Sequence, residues 1–282
     1  MTTVSAKYLG NLRTECTHLQ SGSTIITSVP LTKDARPETP DACEICVASL
    51  AACAMTIMGI AAKNHAFSVD GMKAALAFEM KKDPYRIGRI QVLITMPPLE
   101  YTEKQKTMIV NAAHTCPVHR SLHPDMDQEF VFVWPGDPAP APIKATILAT
   151  YLGGLRCEIT HVASGYTIVT DAPTDNCGRG EKFSPTDLAS TALAACAMTI
   201  MGMAAGRHGF SIDGATVDVS KTMSANPRRI GKVEASFTMP AIVYTDRQKA
   251  MIANAANTCP VHRSLHPDTE QVITFAWPGD RA

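Results

Sequence analysis

Four cysteines carry the chemistry that this sequence offers. Cys53 lies inside the decapeptide LAACAMTIMG at residues 50–59, and Cys196 lies at the same place in an identical decapeptide at residues 193–202. Cys116 and Cys259 open the Cys-Pro-Val of TCPVHRSLHPD, which occurs at residues 115–125 and again at 258–268. A thiol can act as a nucleophile, a redox centre or a metal ligand, and its ionisation decides which. The residue before a proline is pushed out of the helical region, so a helix should end near Cys116 and Pro117 should open a new turn. A thiol at a helix start, with His119 and Arg120 beside it, has cause for a lowered pKa. Cys53 has no such local help, because apolar burial in mid-helix raises a thiol pKa. A cation brought in by the fold would have to offset that. Arg13 and Arg156 are the candidates, since a guanidinium stays charged when buried.

The chain tests itself internally, because shifting it by 143 residues aligns one half on the other without a gap. Cys53 recurs as Cys196 and Cys116 as Cys259, whereas Cys16, Cys43 and Cys46 become Ile159, Thr186 and Ala189. Cys157 stands opposite Thr14, and Cys177 opposite Asp34. Cys43 and Cys46 spell C-x-x-C, the redox dithiol spacing, but without a βαβ context and without a counterpart in the second half. They read as a pair of small buried residues. Zinc is the competing chemistry: His114, Cys116, His119 and His123 fall in one stretch. Yet His114 becomes Asn257, and the spacing matches no familiar zinc pattern. Arg86 and Arg229, and His119 and His262, also recur and belong either to a site or to ordinary turns and caps.

The elements that must position these residues follow from the same duplication. Two units are expected, residues 1–139 and 144–282, joined by a stiff Pro/Ala stretch near 137–143 with little reach, so the halves should touch. Each half begins with a β-hairpin, spanning residues 4–29 in the first copy with a turn at 20–22. A first helix starts near residue 41 or 184. Asp41 with Glu44, and Ser184 with Asp187, form capping boxes there. Strands near 67–80 and 89–96 follow, joined at Asp83-Pro84. A second helix is capped at Thr102 and Thr245, and a last strand covers 130–134. This order gives α+β architecture with antiparallel sheet backed by helices. Residues 45–62 contain no charge, near the lower limit for a membrane span, but small residues dominate and a core helix is expected. Formal net charge is zero, which gives no footprint for nucleic acid or an acidic membrane surface. The N-terminus shows no signal-peptide pattern, and a reducing cytoplasm is the expected compartment.

A small-residue helix with a central cysteine, followed by Cys-Pro-Val at the end of a second helix, resembles the OsmC/Ohr family of peroxide-reducing proteins. Ser49 to Cys53, Pro84 to Ile87 and Cys116 to Leu122 are most similar to its OsmC-like branch. The resemblance implies an intertwined pseudo-dimer in which each repeat replaces one subunit, with sites at the repeat interface and further oligomerisation left open. It implies peroxidatic roles for Cys53 and Cys196 and resolving roles for Cys116 and Cys259. It assigns the family's arginine to Arg13 and Arg156, and its acidic partner to Glu44 and Asp187, for which the capping boxes are an equally complete account. The implied activity is reduction of organic hydroperoxides in defence against oxidative stress, with no resident cofactor or metal and an external dithiol or thiol as reductant. The alternative is a non-catalytic fold binding a small apolar ligand between the repeats.

Overall fold

The computed structural model describes residues 2–32 and 35–279. Asp280, the repeat counterpart of Asp137, and Asp34, opposite Cys177, lie outside the described residues. The first half runs β1 (Val4–Gly10), β2 (Arg13–His18), β3 (Thr24–Ser28), α1 (Ala42–Asn64), β4 (Lys73–Lys82), β5 (Tyr85–Thr95), α2 (Glu103–His114), a 3-10 turn (His119–Ser121) and β6 (Asp127–Val133). The second runs β7 (Ile147–Gly153), β8 (Arg156–His161), β9 (Thr167–Asp171), α3 (Pro185–Arg207), β10 (Thr216–Ala225), β11 (Arg228–Thr238), α4 (Asp246–Asn257), a short α5 (Pro260–Ser264) and β12 (Glu270–Ala276), with a 3-10 turn at Thr174–Asn176.

Neither half keeps its strands to itself. One sheet has the order β12-β11-β10-β1-β2-β3 and the other β6-β5-β4-β7-β8-β9. The joining pairs are antiparallel, Val4 opposite Val219 and Lys73 opposite Thr150. Two strands that each half would leave as bare edges are thereby paired with the other half. The expected intertwined arrangement is present. The expected purely antiparallel sheet is not: β6 and β12 pair parallel to β5 and β11, because the chain returns to that edge through α2 or α4 rather than a tight turn. The expected first hairpin is three strands, since a second turn falls at Gly10, Asn11 and Leu12, all with positive φ. The expected strand near 67–80 starts only at Lys73.

Helices α1 and α3 pack on each other in the core. By length and hydropathy both could pass for membrane spans, but their apolar windows are 83% and 78% buried within the protein. They are core helices. Both begin with the anticipated capping boxes: Asp41 accepts from the Glu44 N–H at 2.8 Å while Glu44 accepts from the Asp41 N–H at 2.8 Å, and Ser184 and Asp187 exchange the same pair of bonds. These satisfy donors that a helix start leaves orphaned. Small residues along both helices let strands of the other half approach closely. The Tyr151 hydroxyl sits where a Cβ on Gly59 would stand, and Tyr8 does the same at Gly202. Each hydroxyl also accepts a backbone N–H, from Leu155 at 3.2 Å and Leu12 at 3.1 Å, so it cannot retreat freely.

Gly59→Ala should therefore destabilise the protein by about 1–3 kcal/mol, the usual cost of overpacking. A thermal or urea unfolding curve unchanged from wild type would contradict this packing of the halves.

Candidate active site

Within each half the two recurring thiols meet. Cys53, in the middle of α1, and Cys116, just past the end of α2, are brought to the same Cys-Pro-Val turn, whose successive N–H groups reach both sulfurs, and Cys196 and Cys259 repeat the arrangement. Exposure is 3% for Cys53, 0% for Cys116, 4% for Cys196 and 0% for Cys259. All nine cysteines are free thiols in this structure. The proline that ends α2 explains the geometry: the chain turns back over α1, so the Val118 N–H donates to Cys53 Sγ at 3.4 Å and the His119 N–H to Cys116 Sγ at 3.3 Å. Val261 and His262 make the matching bonds at 3.5 and 3.4 Å.

Burial pushes the Cys53 thiol well above its ordinary pKa, and the adjoining Cys116 thiol adds to this, while the Val118 N–H works in the opposite direction. Cys196 is raised in the same way, first by burial and then by Cys259 and Cys43. The resting first thiols are protonated. His119 supplies no positive charge to offset this. Burial, then His114 and Arg120, lower its pKa to about 4, and its ring packs against His114 and Phe130. The imidazolium expected beside Cys116 is thus a neutral imidazole.

The arginines also depart from expectation. Arg13 lies 3.7 Å from Glu38 and Arg156 lies 3.4 Å from Glu181; no hydrogen bond or ion pair joins either guanidinium to a thiol. The physical reason is position: each opens its strand at a turn, where a loop carboxylate of its own half captures it. β2 packs on α3, and β8 on α1, so each arginine belongs to the neighbourhood of the other half's cysteine helix. Glu44 and Asp187 likewise reach across the halves, to the hairpin histidines. Glu44 Oε1 is 3.1 Å from His161 Nε2, and Asp187 Oδ2 is 3.8 Å from His18 Nε2, with Lys221 bonded to Asp187 Oδ1. Burial raises Glu44; it also raises Asp187, but Lys221, Ser184 and His18 together outweigh it and the net direction is down. Neither carboxylate is bonded to a thiol. Arg86 and Arg229 hold backbone instead, donating to the Ile87 and Ile230 carbonyls at 3.1 and 3.2 Å.

A cavity of about 160 Å³ opens beside Cys53, a volume that holds a benzene-sized group. Its apolar side is Ile57, Ile60, Pro117 and Met223, and its polar side is Thr186, Lys221 and Arg228. Most of that polar wall comes from the other half. Within-half spacing therefore could not reveal it, and Lys221 and Arg228 went unrecognised because their counterparts are Phe78 and Tyr85. Cys157, which has no cysteine counterpart in the first half, is also close to the first site's helix. It lies on β8 against α1, with its Sγ donating to the Ala52 carbonyl at 3.7 Å, and burial pushes it up to about 12. The four imagined zinc ligands do not converge: among the described residues no cluster of three His, Cys, Asp or Glu side chains could hold a metal ion.

The family model for OsmC-like protein matches residues 35–129 and 178–273. The chain belongs to the OsmC-like family and carries its domain twice. A protein of Psychrobacter arcticus 273-4, described as a candidate osmotic stress induced and detoxification response protein, is 40% identical; the match covers 49% of this chain and 100% of that one, with a TM-score of 0.47. An organic hydroperoxide resistance protein OsmC from Legionella pneumophila is 16% identical, over 48% of this chain and 99% of its own, with a TM-score of 0.40. The organic hydroperoxide resistance protein OhrB of Bacillus subtilis is 20% identical, over 48% and 100%, with a TM-score of 0.35. No curated protein matches the chain.

Folded His119 binds its proton less readily than the unfolded chain does. Its contribution to stability is complete above the unfolded value of about 6.5 and is lost as pH falls toward about 4. Asp41, raised to about 6 by burial and then by Glu44, tilts stability the other way over the same range. The test must accordingly be residue-specific. In a histidine NMR titration assigned with His119→Gln, the His119 ring should stay neutral from pH 7.5 to 5; a midpoint near 6.5 would contradict its buried setting.

Proposed function

We propose that this protein reduces organic hydroperoxides by thiol chemistry at two sites, one per repeat. The observation that carries the reading is the meeting of each mid-helix thiol with the Cys-Pro-Val thiol of its own half, buried and next to an apolar cavity at Cys53. Cys53 or Cys196 gives up its proton and its sulfur attacks the outer peroxide oxygen. The O–O bond breaks, the alkoxide takes a proton and leaves as alcohol, and the sulfur becomes a sulfenic acid. Cys116 or Cys259 then attacks that sulfur, releasing water and forming a disulfide, which an external dithiol or thiol in a reducing compartment returns to thiols.

Desolvation makes the first thiol a poor nucleophile at rest, and a bound hydroperoxide needs a cation near its oxygens. At the first site Lys221 and Arg228 are the cations on the cavity wall, which Asp175 also lines. The apolar wall suits the organic part of the substrate rather than hydrogen peroxide. A resolving thiol already in contact shortens the life of the sulfenic acid and guards it from further oxidation.

Replacing both Cys53 and Cys196 by Ser should abolish dithiol-dependent turnover of cumene hydroperoxide, while either single replacement leaves roughly half, as for independent sites. Unchanged rates in the double variant would remove the proposal. A Cys116→Ser change should let a sulfenic acid at Cys53 persist long enough for dimedone labelling, read by mass spectrometry.

A further inference from the structure

The C-x-x-C at Cys43 and Cys46 has no role in the chemistry above, yet the fold delivers it to the second thiol pair. Cys43 occupies the first turn of α1 and Cys46 lies one turn on; the cavity beside Cys53 is lined by Thr186, the repeat counterpart of Cys43, so the same crossing of the halves brings Cys43 to the neighbourhood of Cys196. The backbone agrees: the start of α1 belongs to a helix that packs on both α3 and α5, the elements that carry Cys196 and follow Cys259. Four thiols thus share one buried place, contributed by both halves. The first site lacks this, because the equivalent positions hold Thr186 and Ala189.

We propose that Cys43 and Cys46 form a second dithiol that reduces the Cys196–Cys259 disulfide from inside the protein; the proposal rests on the peroxidase reading of that pair. Cys43 loses its proton and its sulfur attacks Cys196 Sγ. The Cys196–Cys259 bond breaks, a Cys43–Cys196 bond forms, and Cys259 leaves as a thiolate that takes up the proton. Cys46 then attacks Cys43 Sγ, a Cys43–Cys46 bond forms, and Cys196 is released as a thiol with the proton from Cys46. Two electrons and two protons have moved from one dithiol to the other, and the second site is ready for another hydroperoxide.

The geometry of the final disulfide is attainable. Side chains three apart on a helix have Cβ atoms roughly 5–6 Å apart, against about 3.5–4.5 Å in a disulfide. The first turn must therefore tighten by about 1 Å, and it is the turn whose N–H groups lack intrahelical carbonyl partners. Cys43 is also the least buried of the four thiols, at 8% exposure, which makes it the natural point of contact for an external thiol. The second site would then hold two oxidising equivalents where the first holds one.

The test counts those equivalents. Reduced protein in a Cys177→Ser background, free of reductant, is titrated anaerobically with cumene hydroperoxide and its disulfides are mapped by mass spectrometry. Cys53→Ser, which leaves the second site, should consume about two equivalents and yield Cys43–Cys46 and Cys196–Cys259 disulfides, whereas Cys196→Ser should consume about one. Cys46→Ser should accumulate a Cys43–Cys196 crosslink between the halves. One equivalent in Cys53→Ser, with Cys196–Cys259 as its sole disulfide, overturns the relay and leaves the peroxidase reading intact. If no variant consumes hydroperoxide, the peroxidase reading fails, and limiting diamide on the wild-type chain decides the exchange separately. Recovery of Cys43–Cys46 then supports it, and recovery of Cys196–Cys259 without Cys43–Cys46 overturns it.

Discussion

The pairing of β1 with β10, and of β4 with β7, is the constraint on which the remaining structure depends. A half folded alone would expose both partners' edges, together with a helix that is apolar on nearly every side. Crossing the halves pairs those edges into two six-stranded sheets and lets α1 and α3 bury each other. It also has a chemical consequence. The start of each cysteine helix is carried to the neighbourhood of the other half's thiols, so the walls of each site come from both repeats. Thr186, Lys221 and Arg228 stand beside Cys53 for this reason, and Cys43 beside Cys196.

Burial sets the electrostatic terms of that arrangement. A thiol placed in mid-helix among alanines is held in its neutral form, and the one backbone N–H it receives only moderates the effect. Protonation at rest is compatible with redox work when the partner thiol is already in contact, because the slow encounter between two sulfurs has been removed in advance. The Cys-Pro-Val turn achieves this with backbone alone: proline ends the second helix, and the N–H groups that follow are aimed at both sulfurs of the half.

Much of this could be read from the chain before any coordinates. The duplication, the helix starts at Asp41 and Ser184, the capping boxes at Thr102 and Thr245, and the two thiol pairs all follow from local rules that act over a few residues. What escaped was set by contacts between halves. The parallel placement of β6 and β12 depends on where the chain returns, not on any residue within those strands. Arg13 and Arg156 are spaced suitably for a site, yet Glu38 and Glu181 in the following loops capture them, and spacing carries no information about such competition. Cys43 and Cys46 read as small buried residues and are buried, but that their helix packs on α3 and α5 of the other repeat is set by contacts between halves.

Duplication within one chain frees the two sites to diverge, which a homodimer cannot do. The thiol pairs have stayed the same while their surroundings have changed: Lys221 faces Phe78 in the alignment of the halves, Arg228 faces Tyr85, and Thr186 faces Cys43. The first site gained cations and a salt-bridged helix start, since Lys221 neutralises Asp187. At the second helix start of the pair, Glu44 has a histidine for its partner instead, and the charged wall is replaced by aromatic and thiol side chains. The charges at the first site are largely compensated, since Lys221 pairs with Asp187 and Asp175 lines the same cavity; the equivalent positions at the second site are less charged and carry an extra thiol. Fusion therefore has a physical rationale beyond tethering: it lets one fold keep the same buried thiol pair in each half while giving the two pairs different electrostatic surroundings.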